Sequence, residues 1–175
     1  LQSALEQDSR SAETRWLLGK VYLETGNIPG AEYQLQQAQS LGWTKEDVRP
    51  AMAQTLLAQG KIQEVLALDY RDLNAAAAAH VLASQALAAV SANQVDKAQD
   101  LVTLALRKDA QLQQAKLAEA TIAVHRGDLA QAMVQIDAIL HVNPDSGEAW
   151  GLKGQILGQQ GKLEAARAAL DKSIA

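Results

Sequence analysis

Along this chain apolar residues recur three and four positions apart, the spacing that lines one face of a helix, in stretches broken by short polar turns. The pattern predicts paired helices. The first members (A) fall at about 12–25, 46–59, 76–92, 112–126 and 147–160, and the second (B) at about 28–41, 62–69, 95–108, 129–142 and 163–174. Between the members of each pair stands a turn residue, Gly26, Gly60, Asn93, Gly127 or Gly161, and these lie 34, 33, 34 and 34 residues apart. Gly or Asn at such a place ends a helix in the left-handed conformation at little steric cost. After each turn Ile28, Ile62, Val95, Leu129 or Leu163 opens the next apolar stripe. Three residues on, Ala31, Val65, Ala98, Ala132 or Ala166 shares its face. A small residue there lets helix B lie close on helix A, and Val65 is the bulky departure.

The repeats divide the chain into 12–45, 46–78, 79–112, 113–146 and a truncated 147–175, with 1–11 as the end of a preceding repeat. Asp145 or Ser146 is placed to cap the fifth A helix behind Pro144. Thr44 or Asp47 is placed to cap the second, with Pro50 near its first turn. Regularity breaks at Asp69-Tyr70-Arg71-Asp72-Leu73-Asn74, where the second B helix is expected to stop early. A surface loop should follow, or, on a sharper reading, a binding loop, before the Ala75–Ala79 run opens the third hairpin. Leu1, Ala4, Leu5 and Asp8 fit the second half of a repeat, while Leu163, Leu170 and Ile174 lack a polar capping helix. The array is therefore expected to continue in both directions in a longer parent, and its bare ends to support end-to-end self-association.

Composition narrows the function classes. The chain has 175 residues, of which 48% are hydrophobic, but these are mostly Ala and Leu, with no Phe and 3% aromatics. Small side chains suit tightly stacked helices. Sixteen basic and twenty acidic residues give a net charge of −4, the opposite of a nucleic-acid-binding stripe. Without cysteine there is no disulfide, thiolate metal site or cysteine nucleophile. No apolar run approaches the ~20 residues of a spanning helix, so no direct membrane insertion is expected of this segment.

A period near 34 with helix–turn–helix content is the mark of a tetratricopeptide repeat (TPR) array, and the chain resembles that family along its whole length. Leu18-Gly19-Lys20-Val21-Tyr22 is similar to the core of TPR helix A, and Ala31 and Ala38 to the small positions of helix B. Trp150, Gly154 and Pro144 fit the family's Trp, Gly and terminal Pro. Trp16 stands one position late, and Leu35, Val102, Ile136 and Leu170 replace an aromatic. More narrowly, 18–27 with 31–35, and 41–50 with 56–66, resemble the TPR lipoproteins of the PEP-CTERM system. The broader likeness implies an all-α, right-handed α-solenoid that binds protein or peptide partners in its concave groove. The narrower one implies a lipid-anchored parent in the periplasm or at the outer membrane, tied to exopolysaccharide export and exosortase sorting. A cytosolic TPR adaptor, or a regulatory array attached to a catalytic domain elsewhere, stays open.

Candidate chemistry is sparse. His80, His125 and His141 lie on separate predicted helices without ligand-spaced partners, and no phosphate loop, HExxH helix or nucleophile elbow occurs, so no metal, cofactor or catalytic residue is expected. By register the groove-facing residues of the A helices are Glu13, Trp16, Lys20, Leu23 and Glu24 in the first repeat, then Asp47, Gln54, Leu57 and Ala58 in the second. His80, Ala83, Leu87, Val90 and Ser91 follow in the third, and Gln114, Leu117, Thr121, Val124 and His125 in the fourth. Where some TPR domains hold a ligand's C-terminal carboxylate with Lys and Asn, this chain carries Trp16, Pro50, Ala83, Leu117 and Gly151. The resemblance therefore implies no carboxylate clamp. Trp16 either anchors a ligand or packs against a preceding B helix, Trp150 reads as core, and Trp43 as a cover on a hairpin junction.

Overall fold

The computed structural model describes residues 11–174, so Leu1, Ala4, Leu5 and Asp8 lie outside the described residues. Among these are ten α-helices and no strand: α1 (Ala12–Glu24), α2 (Ile28–Ser40), α3 (Lys45–Ala58), α4 (Ile62–Ala67), α5 (Ala75–Ser91), α6 (Val95–Lys108), α7 (Gln113–His125), α8 (Leu129–Val142), α9 (Gly147–Gln159) and α10 (Leu163–Ser173). Odd-numbered helices are the A members and even-numbered ones the B members. Each hairpin packs on the next, and α1, α3, α5, α7 and α9 stack in order, each touching its neighbour in the row.

The five turn residues all take positive φ, from 57° at Asn93 to 79° at Gly127. At Asn93 the chain reverses so that Gln94 N–H donates to Ala89 O at 2.8 Å, satisfying a carbonyl the helix end would otherwise leave open. Gly42, between α2 and α3, is a further left-handed position, at 84°.

Close approach within hairpins follows from small residues on both sides. Ala31, Val65, Ala98 and Ala132 are fully buried and Ala166 nearly so. Seven residues before each turn stand Gly19, Ala53, Ala86, Ala120 and Gly154, all buried. A Cβ on Gly19 would lie 2.8 Å from Leu35 Cγ, and one on Gly154 would lie 2.7 Å from Leu170 Cγ. In the second hairpin the matching B position is Asp69, beyond the end of α4, and Leu68, Tyr70 and Leu73 pack around Ala53 instead.

The early end of α4 has a visible partner. Gln85, on α5 and 3% exposed, turns its Nε2 to Val65 O, Leu66 O and Leu68 O at 3.1, 3.3 and 2.9 Å. One amide thus meets the Leu66 and Leu68 carbonyls at the stopped helix end, and shares the Val65 carbonyl with Leu68 N–H. Outside, Asp72 accepts from Lys45 Nζ and Arg49 Nη1, and Arg49 Nη1 also donates to Asp69 O at 2.6 Å. The Lys45 ammonium, with Arg49 beside it, holds the Asp72 carboxyl below the usual carboxylate range, and Arg71 does the same for Asp69. With Leu73 buried, segment 68–74 is pinned over the core from both sides.

Two local expectations need correction. Pro50 is the sixth residue of α3, not a first-turn residue, so the Glu46 carbonyl receives no bond from position 50. Neither candidate cap of α3 makes a side-chain cap bond: Thr44 occupies the cap position but its hydroxyl donates to Asp47 Oδ2 at 2.8 Å. Ser146 does cap α9, accepting from Ala149 N–H.

Candidate functional site

Stacking the A helices leaves a concave face on which the structure has one large cavity of about 1220 Å³. The 34-residue period orders its walls, because one helix position recurs on each successive A helix. Lys20, Gln54, Leu87, Thr121 and Gln155 form one such row; Asp47, His80, Gln114 and Glu148 form a second; Trp16, Pro50, Leu117 and Gly151 belong to a third. Each A helix also contributes one leucine to the lining, Leu23, Leu57, Leu87, Leu117 and Leu152, so every one of the five helices offers an apolar side chain to the groove.

The middle of the floor is lined by amides, a hydroxyl and an imidazole. Gln114 Nε2 donates to the buried Ser84 Oγ at 2.9 Å, while Gln114 Oε1 lies 3.4 Å from Gln54 Nε2 and 3.3 Å from His80 Nδ1. Helices α3, α5 and α7 therefore meet around one amide. At the far wall Gln113 links Ser146 and Asn143 across the α8–α9 junction.

Trp16 does two things. Its ring stacks on Trp43 with centroids 5.7 Å apart, and its indole N–H donates to Asp47 O at 3.3 Å, so it joins the first hairpin to the second. It is half-buried, lines the cavity, and carries the Lys20 ammonium 5.1 Å from its ring centroid. Among the described residues its packing partner is the following hairpin; a preceding B helix would fall in residues 1–10, outside the described residues. Trp150 is also half-buried, with Lys172 and Lys153 over its ring at 4.2 and 5.3 Å. Trp43 covers its junction, its indole nitrogen buried and, among the described residues, without a hydrogen-bond partner.

Of the residues expected on the groove, Trp16, Lys20, Leu23, Glu24, Gln54, Leu57, His80, Leu87, Gln114, Leu117 and Thr121 line the cavity, as do Asp47 and Ala58. Glu13, Ser91 and His125 do not. Glu13 belongs to the Asp47–Glu148 row, but on α1 it has an A-helix neighbour among the described residues on one side only; His125 is the exposed last residue of α7. Ala83, Val90 and Val124 are buried instead. Twelve of the seventeen residues of α5 are buried, because α3, α4, α6 and α7 all pack on it. The fifth A helix was missed, although one more period from Gln114, Leu117 and Thr121 reaches Glu148, Gly151 and Gln155.

Among the described residues no group of three His, Cys, Asp or Glu side chains converges, and no helix is long and apolar enough to cross a membrane. Residues 117–175 match the tetratricopeptide-repeat family model. The structure determined in the functional characterisation of PilF from Pseudomonas aeruginosa covers 95% of this chain and 78% of its own, with a TM-score of 0.57 at 18% identity. YrrB, described as a TPR protein with an unusual peptide-binding site, covers 99% of this chain and 90% of its own, with a TM-score of 0.52 at 15% identity. The fold is that of a TPR solenoid. No curated protein matches the sequence. At these identities the likeness concerns the fold, and the chemistry of the groove follows from this chain's own residues.

Proposed function

We propose that this chain is a non-catalytic scaffold that receives a peptide, or an extended segment of another protein, in its concave groove. The observation that carries this reading is one large cavity lined by all five stacked A helices, each giving it a leucine, with amides among them. A rigid helical floor docks a segment with little rearrangement. Amide side chains such as Gln54 and Gln155 donate and accept at once, which suits the backbone of an extended ligand.

The test uses peptides selected from a random display library on the intact chain. Thr121→Trp, which fills the groove without adding charge, should weaken the selected peptides at least tenfold. Val134→Arg, on an exposed position of α8, should leave them unchanged. The reverse pattern would move the site to the B helices.

We assign the parent protein to the bacterial envelope, as a lipid-anchored component of exopolysaccharide export and PEP-CTERM sorting. The support is the resemblance of 18–27 with 31–35, and of 41–50 with 56–66, to those lipoproteins. Labelling the full-length protein with a fatty-acid analogue in its host checks it: an unlabelled, cytosolic protein would reject the assignment. We also propose end-to-end association of copies through α10, where Leu163, Leu170 and Ile174 are exposed.

A further inference from the structure

We infer that the groove selects a basic segment, an extended peptide in which lysines or arginines alternate with apolar residues. The inference rests on the groove being the binding surface and adds the chemistry of its occupant. The lining carries four carboxylates, Glu24, Glu46, Asp47 and Glu148, against one ammonium, Lys20. The chain as a whole carries 20 acidic residues against 16 basic ones, so the groove is far more one-sided than the surface around it.

Pairing sharpens the imbalance. Lys45, Arg49, Lys61, Arg71, Arg126 and Lys153 all engage carboxylates elsewhere, on Asp72, Glu32, Asp69, Asp96 and Asp137. Among the described residues none of the four groove carboxylates is in such an ion pair, and the lone ammonium lies over the Trp16 ring. Glu46, Asp47 and Glu148 stand in first helical turns, where the helix dipole makes an unpaired carboxylate inexpensive. Glu24 has no such local reason. It is the last residue of α1, where the dipole disfavours negative charge.

Acid and apolar groups also adjoin at the two ends of the leucine row. Glu24 stands beside Leu23 at one end, and Glu148 precedes Leu152 by one helical turn at the other. Four steps between neighbouring helices, at about 8–10 Å each, match about ten residues of extended chain at about 3.3 Å apiece. An acidic segment would meet like charge along the same path, and a purely apolar one would leave the carboxylates to be desolvated without partners.

Three degenerate dodecapeptide pools test this by fluorescence anisotropy. All place leucine, valine or tryptophan at alternate positions, with lysine and arginine, serine and threonine, or aspartate and glutamate between. The basic pool should bind at least tenfold tighter than either other pool. Its affinity should fall at least tenfold on raising NaCl from about 50 to about 500 mM, across which screening length drops severalfold. Glu24→Gln/Glu46→Gln/Glu148→Gln should erase most of the preference, with a thermal melt showing that the variant folds. Thr121→Trp should weaken basic-pool binding.

Equal or tighter binding of the neutral or acidic pool, lost in Thr121→Trp, would overturn the charge inference and keep the groove. Basic-pool binding that survives Thr121→Trp would overturn both. Basic-pool binding that is absent up to about 1 mM, or unchanged in the triple variant, would overturn the inference.

Discussion

Gly19 and Gly154 occupy matching places in the first and last hairpins, yet they are held by different neighbours. Leu35, against Gly19, is fully buried and has nowhere to move; Leu170, against Gly154, is 47% exposed and can swing outward. Alanine gains up to about 1 kcal/mol of helix propensity at either site, but overpacking costs about 1–3 kcal/mol where the core cannot yield. Gly19→Ala should therefore destabilise by about 1 kcal/mol, and Gly154→Ala should be neutral or stabilising, as denaturant melts of the two variants will show. Trp16 presents the same contrast between face and surroundings. Its register places it on the groove, but only the folded chain brings Trp43 from the next turn onto its ring. Trp16→Ala should thus cost about 2 kcal/mol of stability, less than a fully buried aromatic, and also weaken groove binding, read by melt and calorimetry together.

At the scale of elements, the second hairpin shows what a sequence pattern can and cannot carry. The polar run from Asp69 to Asn74 marks the end of a short B helix because charged residues break the apolar stripe there. Gln85 gave no such signal. A glutamine inside an apolar helix reads as surface, and its task is set by carbonyls some 20 residues away. Gln85→Leu should cost about 1–3 kcal/mol by removing the amide donor to the Leu66 and Leu68 carbonyls, and should speed amide exchange in 62–74 before the rest of the chain. The outer clamp is electrostatic. Asp69, Asp72 and Glu32 are all held below the usual carboxylate range, by Arg71, by Lys45 with Arg49, and by Lys61 with Gln59. Depressed folded-state values mean their contribution is complete at neutral pH and persists down to about pH 4, where unfolded carboxyls begin to protonate. It is lost as pH falls further through the folded values. Thermal midpoints recorded from pH 7 to pH 2 should hold to about pH 4 and then drop, less steeply in Asp72→Asn.

In the whole molecule, period and helix pairing were legible because each repeat writes the same small residues and turn residues into the same places. Ala132→Phe, at one of those fully buried places, should cost about 1–3 kcal/mol and unzip the last hairpins first in hydrogen exchange. The groove was only half legible, since burial of Ala83 and Val90 depends on how many helices crowd α5. Association through Leu163, Leu170 and Ile174 should appear in sedimentation as concentration-dependent dimers, lost in Leu163→Glu. The most direct test of the central claim is amide and indole chemical-shift mapping of the chain titrated with a selected peptide. Binding in the concave groove predicts shifts along α1, α3, α5 and α7, with the Trp16 indole among them. Shifts confined to α2, α6 and α8, with that indole unmoved, would contradict it.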